Sequence, residues 1–235
     1  MKSVLEVSNL TKTYDGTSIL HGVNFDVGNG EIIGLLGRNG AGKTTLLKLL
    51  SGFLEPTDGN VYILGENPWI SRDIVLKNIG IMIETPVFYE HLSAYENLSI
   101  HLQYMNVNTD ISSILSLVGL AHTGTKPVCK FSMGMRQKLA IARTISHKPK
   151  ILLLDEPING LDPIAIEDIR KLFLNLKQQG TTILLSSHIL GELLATVEKI
   201  TIISNGVVEN LGMIDSLKRQ YSDNLEHYLI ERMRA

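Results

Sequence analysis

The chain has 235 residues, of which 44% are hydrophobic and 20% are charged, and its formal net charge is −2. This is the composition of a globular domain, and the lack of a basic block argues against a nucleic-acid binder. One cysteine, Cys129, excludes an internal disulfide and a cysteine-rich metal site. No apolar run reaches the ~20 residues that span a bilayer. We therefore expect a soluble protein of a reducing compartment that binds no nucleic acid.

Alternating apolar and polar residues predict strands in the first part of the chain. One such stretch begins at Val4, and another runs through residues 19–27. Two dipeptides beside apolar runs, Asp58-Gly59 and Asn205-Gly206, favour tight turns. We therefore expect a β-hairpin at each dipeptide.

Three continuous apolar runs, each followed by a segment with helical spacing, predict a parallel sheet. The runs occupy residues 31–37, 150–157 and 181–188. The helix after the second run has clear ends, because Asp162 is a suitable N-cap, Pro163 stands at the first helical position and Gly180 follows the last turn.

The stretch from about 88 to 148 differs from its surroundings because it contains three segments with helical spacing and no convincing strand. We interpret it as a helical subdomain set into an α/β core. The core would comprise about 1–87 and 149–235, and the whole of 1–235 would form a single domain.

A phosphate-binding loop is predicted where GRNGAGKTT follows an apolar strand and opens a helix. Small residues allow backbone N–H groups to surround phosphate oxygens, and the helix directs its positive end at the same charge. Lys43 would reach the β- and γ-phosphates, and the Thr44 hydroxyl would bind Mg²⁺. The predicted nucleotide-binding residues are Gly37, Arg38, Asn39, Gly40, Ala41, Gly42, Lys43, Thr44 and Thr45.

Two acids end the apolar strand that begins at Ile151. Strand geometry would send the side chains of Asp155 and Glu156 to opposite faces and give them different roles. Asp155 would hold Mg²⁺, directly or through water, and Glu156 would polarise the attacking water as general base.

The order of these motifs resembles the nucleotide-binding subunit of an ABC transporter over about Val4 to Leu217. The resemblance implies an α/β fold with a P-loop NTPase (RecA-like) core, an antiparallel β subdomain and an inserted helical subdomain. The matching segments are Tyr14, which would stack on adenine; Gly37–Thr45, Walker A; 131–135, the signature; 152–156, Walker B; 159–162, the D-loop; and His188, the switch histidine that would contact the γ-phosphate. A turn aromatic at 14 and a hydrogen-bonded strand-end histidine at 188 are the alternatives.

The resemblance also implies a device of two copies, a homodimer or pseudo-dimer, with ATP between the Walker A loop of one copy and the signature of the other. Ser132, Gly134 and Asp162 would complete the nucleotide site. Ser132 is also a suitable N-cap, so the helix that it begins would present its positive end outward. The implied partners are integral membrane permease subunits, which would place the chain at the cytoplasmic face of the cell membrane.

The chain departs from the family pattern at three positions. Met133 replaces a glycine and Met135 a glutamine of the signature. Loss of the glutamine removes a polar contact, so we expect slower hydrolysis and do not infer inactivity. Glu84 stands where the family usually has the glutamine of the Q-loop, which touches Mg²⁺ and the membrane subunit. A carboxylate only accepts hydrogen bonds, so Glu84 would bind the metal more strongly and prefer a basic partner.

The stretch around Glu84, together with FSMGMRQ, resembles the branch that expels antimicrobial peptides, which includes lantibiotic self-protection and bacitracin-type resistance transporters. We therefore expect an ATPase that drives peptide export. The alternatives are a general exporter in which Glu84 has no special role, an ABC ATPase for a lipid, drug or small solute, a soluble non-transport ABC ATPase acting on DNA or the ribosome, and a regulatory module without turnover.

Two further expectations concern surfaces. Arg136 and Arg143 would lie on the exposed face of the signature helix and form surface ion pairs. The short amphipathic tail from Asp215 to Ala235 would either cover the core or meet a partner.

Overall fold

The computed structural model describes residues 3–234. The strands are β1 Ser3–Tyr14, β2 Thr17–Gly28, β3 Ile32–Leu36, β4 Asp58–Ile63, β5 Ile79–Met82, β6 Ile151–Leu154, β7 Thr182–Ser187, β8 Lys199–Ser204 and β9 Val207–Met213. The α-helices are α1 Lys43–Leu50, α2 Arg72–Asn78, α3 Ala94–Met105, α4 Ile111–Leu117, α5 Met133–Ile145, α6 Pro163–Gln178, α7 Leu190–Thr196, α8 Ile214–Tyr221 and α9 Leu225–Arg234.

The central sheet has six strands in the order β5-β6-β7-β3-β8-β9. Its first five strands are parallel, and every residue of β3, β6 and β7 is buried, as continuous apolar runs predict. The last strand, β9, pairs antiparallel with β8 through the predicted hairpin. Both residues of that turn have positive φ, 46° at Asn205 and 75° at Gly206, as a type I′ hairpin requires.

A second, antiparallel sheet has the order β2-β1-β4. The hairpin predicted at Asp58-Gly59 is wrong, because these residues begin β4, which pairs with β1 from across the fold. Gly59 is needed for close approach rather than for a turn: a Cβ there would lie 2.3 Å from the carbonyl oxygen of Asn9.

The segment between β5 and β6 is helical, as predicted, and contains α3, α4 and α5. Local capping fixes where each helix begins. Ser93 forms a capping box with Glu96 at α3, Asp110 accepts from Ser112 N at α4, and Ser132 accepts from Met135 N at α5. The apolar faces of these helices join the same hydrophobic cluster as one face of the central sheet.

The C-terminal segment covers the core, which was the first of its two expected roles. Leu225 and Leu229 of α9 are buried, and the ring of Tyr221 stacks on that of Tyr228 at 3.9 Å between centroids. Within residues 3–234, no helix is long and apolar enough to cross a bilayer.

Candidate active site

The phosphate loop lies between the end of β3 and the start of α1. Glycine is required where the chain packs most tightly, since a Cβ on Gly37 would lie 2.6 Å from the carbonyl oxygen of Ile203. Gly40 and Gly42 have φ of 83° and 109°, which other residues rarely adopt. The backbone of the loop therefore leads directly into the N-terminus of α1, an arrangement that binds anions.

Lys43 begins α1 and is only 7% exposed. Its Nζ donates to the carbonyl oxygens of Gly37, at 2.7 Å, and Arg38, at 3.2 Å. Burial lowers the pKa of Lys43, while the negative charges of Glu156 and Asp155 oppose that shift. The ammonium group is thus held inside the loop beside two carboxylates.

Thr44 and Asp155, which are 111 residues apart in the chain, meet at the floor of the site. Thr44 Oγ1 donates to Asp155 Oδ2 at 2.6 Å, and Ser186 Oγ donates to Asp155 Oδ1 at 2.5 Å. A hydroxyl and a carboxylate are hard oxygen ligands of the kind that Mg²⁺ prefers. The donor set of Thr44 and Asp155 therefore fits the expected metal.

Glu84 does not contact these two residues. Its side chain is 62% exposed, and its Oε1 lies 2.5 Å from Lys48 Nζ of α1. Across residues 3–234, no group of three or more acidic, histidine or cysteine side chains is gathered tightly enough to hold a metal. Glu84, Thr44 and Asp155 nevertheless border the same cleft, and a metal contact of Glu84 stays a prediction.

Glu156 lies beside the phosphate loop together with Asp155. Strand alternation does not send the two carboxylates to opposite faces as predicted, because β6 ends at Leu154 and Glu156 has a left-handed backbone, with φ of 50°. The two acids nevertheless have different partners. Glu156 Oε2 lies 2.9 Å from His188 Nδ1, and its Oε1 lies 3.9 Å from Lys43 Nζ.

One open cleft of about 400 Å³ joins most of the predicted nucleotide-binding residues. Tyr14 stands at its rim, 43% exposed, with Lys12 Nζ 4.9 Å from the ring centroid. An exposed aromatic face at this position can stack on a base. The cleft is lined by Tyr14, Ile19, Arg38, Asn39, Gly40, Gly42, Lys43, Thr44, Thr45, Asp155 and Glu156.

The signature residues face a different cavity, of about 360 Å³. Ser132 and Gly134 line it at the N-terminus of α5, and Asp162, the N-cap of α6, lines it too. The Walker A loop does not border this cavity. Within one chain, the structure therefore does not bring Ser132, Gly134 and Asp162 to the phosphate loop.

Comparison with known proteins decides the family. A family model described as ABC transporter matches residues 20–159. The chain belongs to the ABC transporter family. It is 41% identical over 238 residues to the bacitracin transport ATP-binding protein BcrA of Bacillus licheniformis, covering 100% of this chain and 78% of that protein. It is 39% identical over 226 residues to the lantibiotic transport ATP-binding protein SrtF of Streptococcus pyogenes, covering 95% and 94%.

Solved ABC structures share the whole architecture. An ATP-binding subunit of an ABC transporter superposes with a TM-score of 0.87 at 31% identity, covering 97% of this chain and 100% of that one. A dimeric bacterial ABC transporter cassette superposes with a TM-score of 0.79 at 26% identity, covering 87% and 96%. The predicted ABC ATPase fold is confirmed, and the chain is an ATP-binding, ATP-hydrolysing member of this family.

Three residues of this ABC ATPase site were missed by sequence reasoning. Ser186 donates a hydrogen bond to Asp155 of Walker B, and Lys48 pairs with Glu84 of the Q-loop. Gln137 of α5 donates to the carbonyl oxygens of Glu156 and Pro157. Ser186 offered one clue, because it is a polar residue inside a buried strand. Gln137 and Lys48 offered none, since polar residues are ordinary on half-exposed helices.

The expectation for the two arginines of α5 is half wrong. Arg136 does pair with Glu90. Arg143 instead donates to the carbonyl oxygen of Val87 at 2.9 Å and lies 4.9 Å from the centroid of the Phe88 ring. Burial lowers the pKa of Arg143. Instead of forming a surface ion pair, Arg143 lines a groove together with Val87, Phe88 and Tyr104.

Proposed function

We propose that this ABC ATPase energises the expulsion of an antimicrobial peptide, lantibiotic or bacitracin-like, through integral membrane permease subunits. The observation that carries the ATPase part is the convergence of Lys43, Thr44, Asp155 and Glu156 on one cleft. His188 contacts the carboxylate of Glu156. The cargo part is supported by relatives named for bacitracin and lantibiotic transport that match the chain over nearly its full length.

The hydrolytic roles follow from the partners of each side chain. The loop N–H groups, the N-terminus of α1 and Lys43 would hold the phosphates of ATP. Glu156 would orient the attacking water and accept its proton, with His188 fixing the carboxylate through the 2.9 Å contact. Thr44 and Asp155 would hold Mg²⁺, which when bound offsets phosphate charge.

A second copy of the chain, or a related chain, would complete the site. Ser132 and Gly134 lie at the N-terminus of the 13-residue helix α5, whose partial positive charge faces an open cavity. The phosphate loop lies in another cleft of the same chain. An ATP molecule bound between two copies would meet both elements, and the related dimeric cassette is consistent with this arrangement.

The permease would dock in a groove of about 480 Å³ beside the segment that follows Glu84. Aromatic and aliphatic side chains line it, and Val87 and Tyr104 are 78% and 82% exposed. Exposed apolar surface of this kind marks an interaction site. Docked to the permease, the chain would lie on the cytoplasmic face of the membrane.

The decisive experiment compares growth inhibition in a sensitive bacterial host that carries the permease partners with wild type, Glu156→Gln or Glu226→Gln. Glu226 is an exposed residue of α9 and provides a matched control. A panel of lantibiotics and bacitracin would identify the cargo. Wild type and Glu226→Gln are expected to protect, and Glu156→Gln is expected to bind ATP without turnover and to give no protection.

Two outcomes would contradict the proposal in different ways. Hydrolysis by purified Glu156→Gln at the wild-type rate would remove the role given to Glu156. Active ATP hydrolysis by wild type without protection against any peptide would leave the ATPase in place and discard the peptide cargo.

A further inference from the structure

The backbone of Glu156 is held from both sides by two side chains, Ser186 of β7 and Gln137 of α5. Its N–H donates to Ser186 Oγ at 3.0 Å, and its carbonyl oxygen accepts from Gln137 Nε2 at 3.0 Å. The same Nε2 also donates to the carbonyl oxygen of Pro157 at 2.8 Å. A non-glycine residue with φ of 50° is strained and persists only where its surroundings fix it.

Gln137 belongs to the signature helix, one turn after the residues that would meet nucleotide. It lies four residues after Met133 and therefore on the same face of α5. Met133 lies against the D-loop of its own chain, since a Cβ on Gly160 would lie 2.4 Å from Met133 Cε. Two consecutive turns on this face of α5 therefore contact residues 156–160, Gln137 at Glu156 and Pro157 and Met133 at Gly160.

The direction of the Glu156 carboxylate depends on the contacts that hold its backbone. The reversed φ turns its side chain toward His188 and Lys43, whereas a continued strand would turn it away. Loss of the hydrogen bonds from Gln137 would allow the backbone to relax toward unstrained φ. The carboxylate would then move relative to the phosphate loop, although no residue that contacts phosphate had changed.

We propose that Gln137 is a positioning residue for Glu156 and ties the general base of each copy to that copy's own signature helix. This inference rests on the ATPase function proposed above. Gln137 lines a cleft together with Thr44 and Asp155, and its amide acts through the backbone carbonyl of Glu156. The signature of one copy would contact the nucleotide held by the phosphate loop of the other copy. One turn of α5 would link that contact mechanically to Glu156 of the first copy, the base that serves the other nucleotide site.

The test measures steady-state ATP hydrolysis by purified full-length Gln137→Met, which keeps the side-chain length and removes the amide. Gln178→Met is the matched control, because Gln178 is exposed near the end of α6. Misplacing a catalytic group by about 1 Å costs on the order of 100-fold. We expect kcat of Gln137→Met to fall by roughly 10- to 100-fold with KM for ATP within about twofold. The control is expected to match wild type.

A second pair of variants guards against misfolding. Gln137→Lys keeps an N–H donor and Gln137→Glu has only acceptors, so Lys is expected to retain the higher kcat. Equal kcat for these two variants would overturn the proposal. Wild-type kcat in Gln137→Met would overturn it as well and leave the ATPase assignment intact, whereas an inactive wild type would overturn both.

Dimerisation separates positioning from damage to the signature. In a Glu156→Gln background, which would trap bound ATP, adding Gln137→Met is expected to leave ATP-dependent dimerisation unchanged in analytical ultracentrifugation. Loss of the dimer in that double variant would mean that Gln137 maintains the signature surface, and the positioning role would be rejected.

Discussion

Ser186 of β7 forms hydrogen bonds with both Walker B acids, Asp155 and Glu156. The substitution Ser186→Ala therefore removes one support of each acid. The hydroxyl is fully buried, donates to Asp155 Oδ1 at 2.5 Å and accepts from Glu156 N–H at 3.0 Å. Alanine fits the space but removes both bonds. It leaves the partly buried N–H of Glu156 without that acceptor and a carboxylate oxygen of Asp155 without that donor.

The magnitude follows from these two losses. An unsatisfied buried amide costs about 1–3 kcal/mol, and a hydrogen bond to a charged group contributes about 1.5–3 kcal/mol. Because Asp155 also accepts from Thr44 and sits at an open cleft, part of the second loss is recovered by water. We expect the free energy of unfolding to fall by about 2–4 kcal/mol, which lowers Tm by roughly 4–16 °C for a domain of this size.

Urea denaturation followed by circular dichroism measures the stability change, and ATP hydrolysis below the transition measures the catalytic one. Ser204→Ala is the control, because Ser204 lies at the end of β8 and its hydroxyl contacts the carbonyl oxygen of Met233, away from the acids. Ser186→Ala is expected to lose at least tenfold in kcat, since Glu156 loses one of its two supports. A stability change below about 0.5 kcal/mol with unchanged kcat would refute the reasoning.

Three other predictions test separate parts of the molecule. Glu84→Gln is expected to leave ATP affinity nearly unchanged and to weaken protection against peptide in cells, because Glu84 pairs with half-buried Lys48 rather than with the phosphate loop; full protection would deny Glu84 a coupling role. Leu229→Ala, in a fully buried position of α9, is expected to destabilise by about 2–5 kcal/mol in urea with normal kcat per folded molecule, and a loss below 1 kcal/mol would mean that the tail contributes little to the core. The pKa of His101 is lowered to about 4 from an unfolded value near 6.5, mainly by burial and secondarily by the charges of His147 and Arg143. The unfolded chain therefore binds the extra proton between these values, so stability should fall as pH drops from about 6.5 to 4, and His101→Gln should show a shallower fall in pH-dependent urea melts; identical slopes would contradict the assignment.

Local patterns in the sequence predicted much of the architecture. Fully apolar runs predicted the buried parallel strands, and the caps at Asp162 and Ser132 predicted where α6 and α5 begin. These features succeed because period, capping and turn chemistry act between neighbours in the chain. The phosphate loop belongs to the same class, since its glycines, Lys43 and the start of α1 are contiguous.

Tertiary structure decided how distant residues share the site. The contact of Thr44 with Asp155 spans 111 residues, and that of Gln137 with Glu156 joins a helix to the end of a strand. No local pattern encodes such contacts. The sequence placed Gly59 in a turn because its dipeptide favours one, whereas close packing against β1 is what requires the glycine.

Local patterns in the sequence thus identify the chemistry that is present: a phosphate loop, a hydroxyl and a carboxylate for a metal, and a candidate base. Only the folded chain decided where the base points. The left-handed backbone of Glu156 overrides strand alternation because Ser186 and Gln137, supplied by the sheet and by the signature helix, hold it there. That constraint comes from packing between elements, and a linear pattern cannot express it.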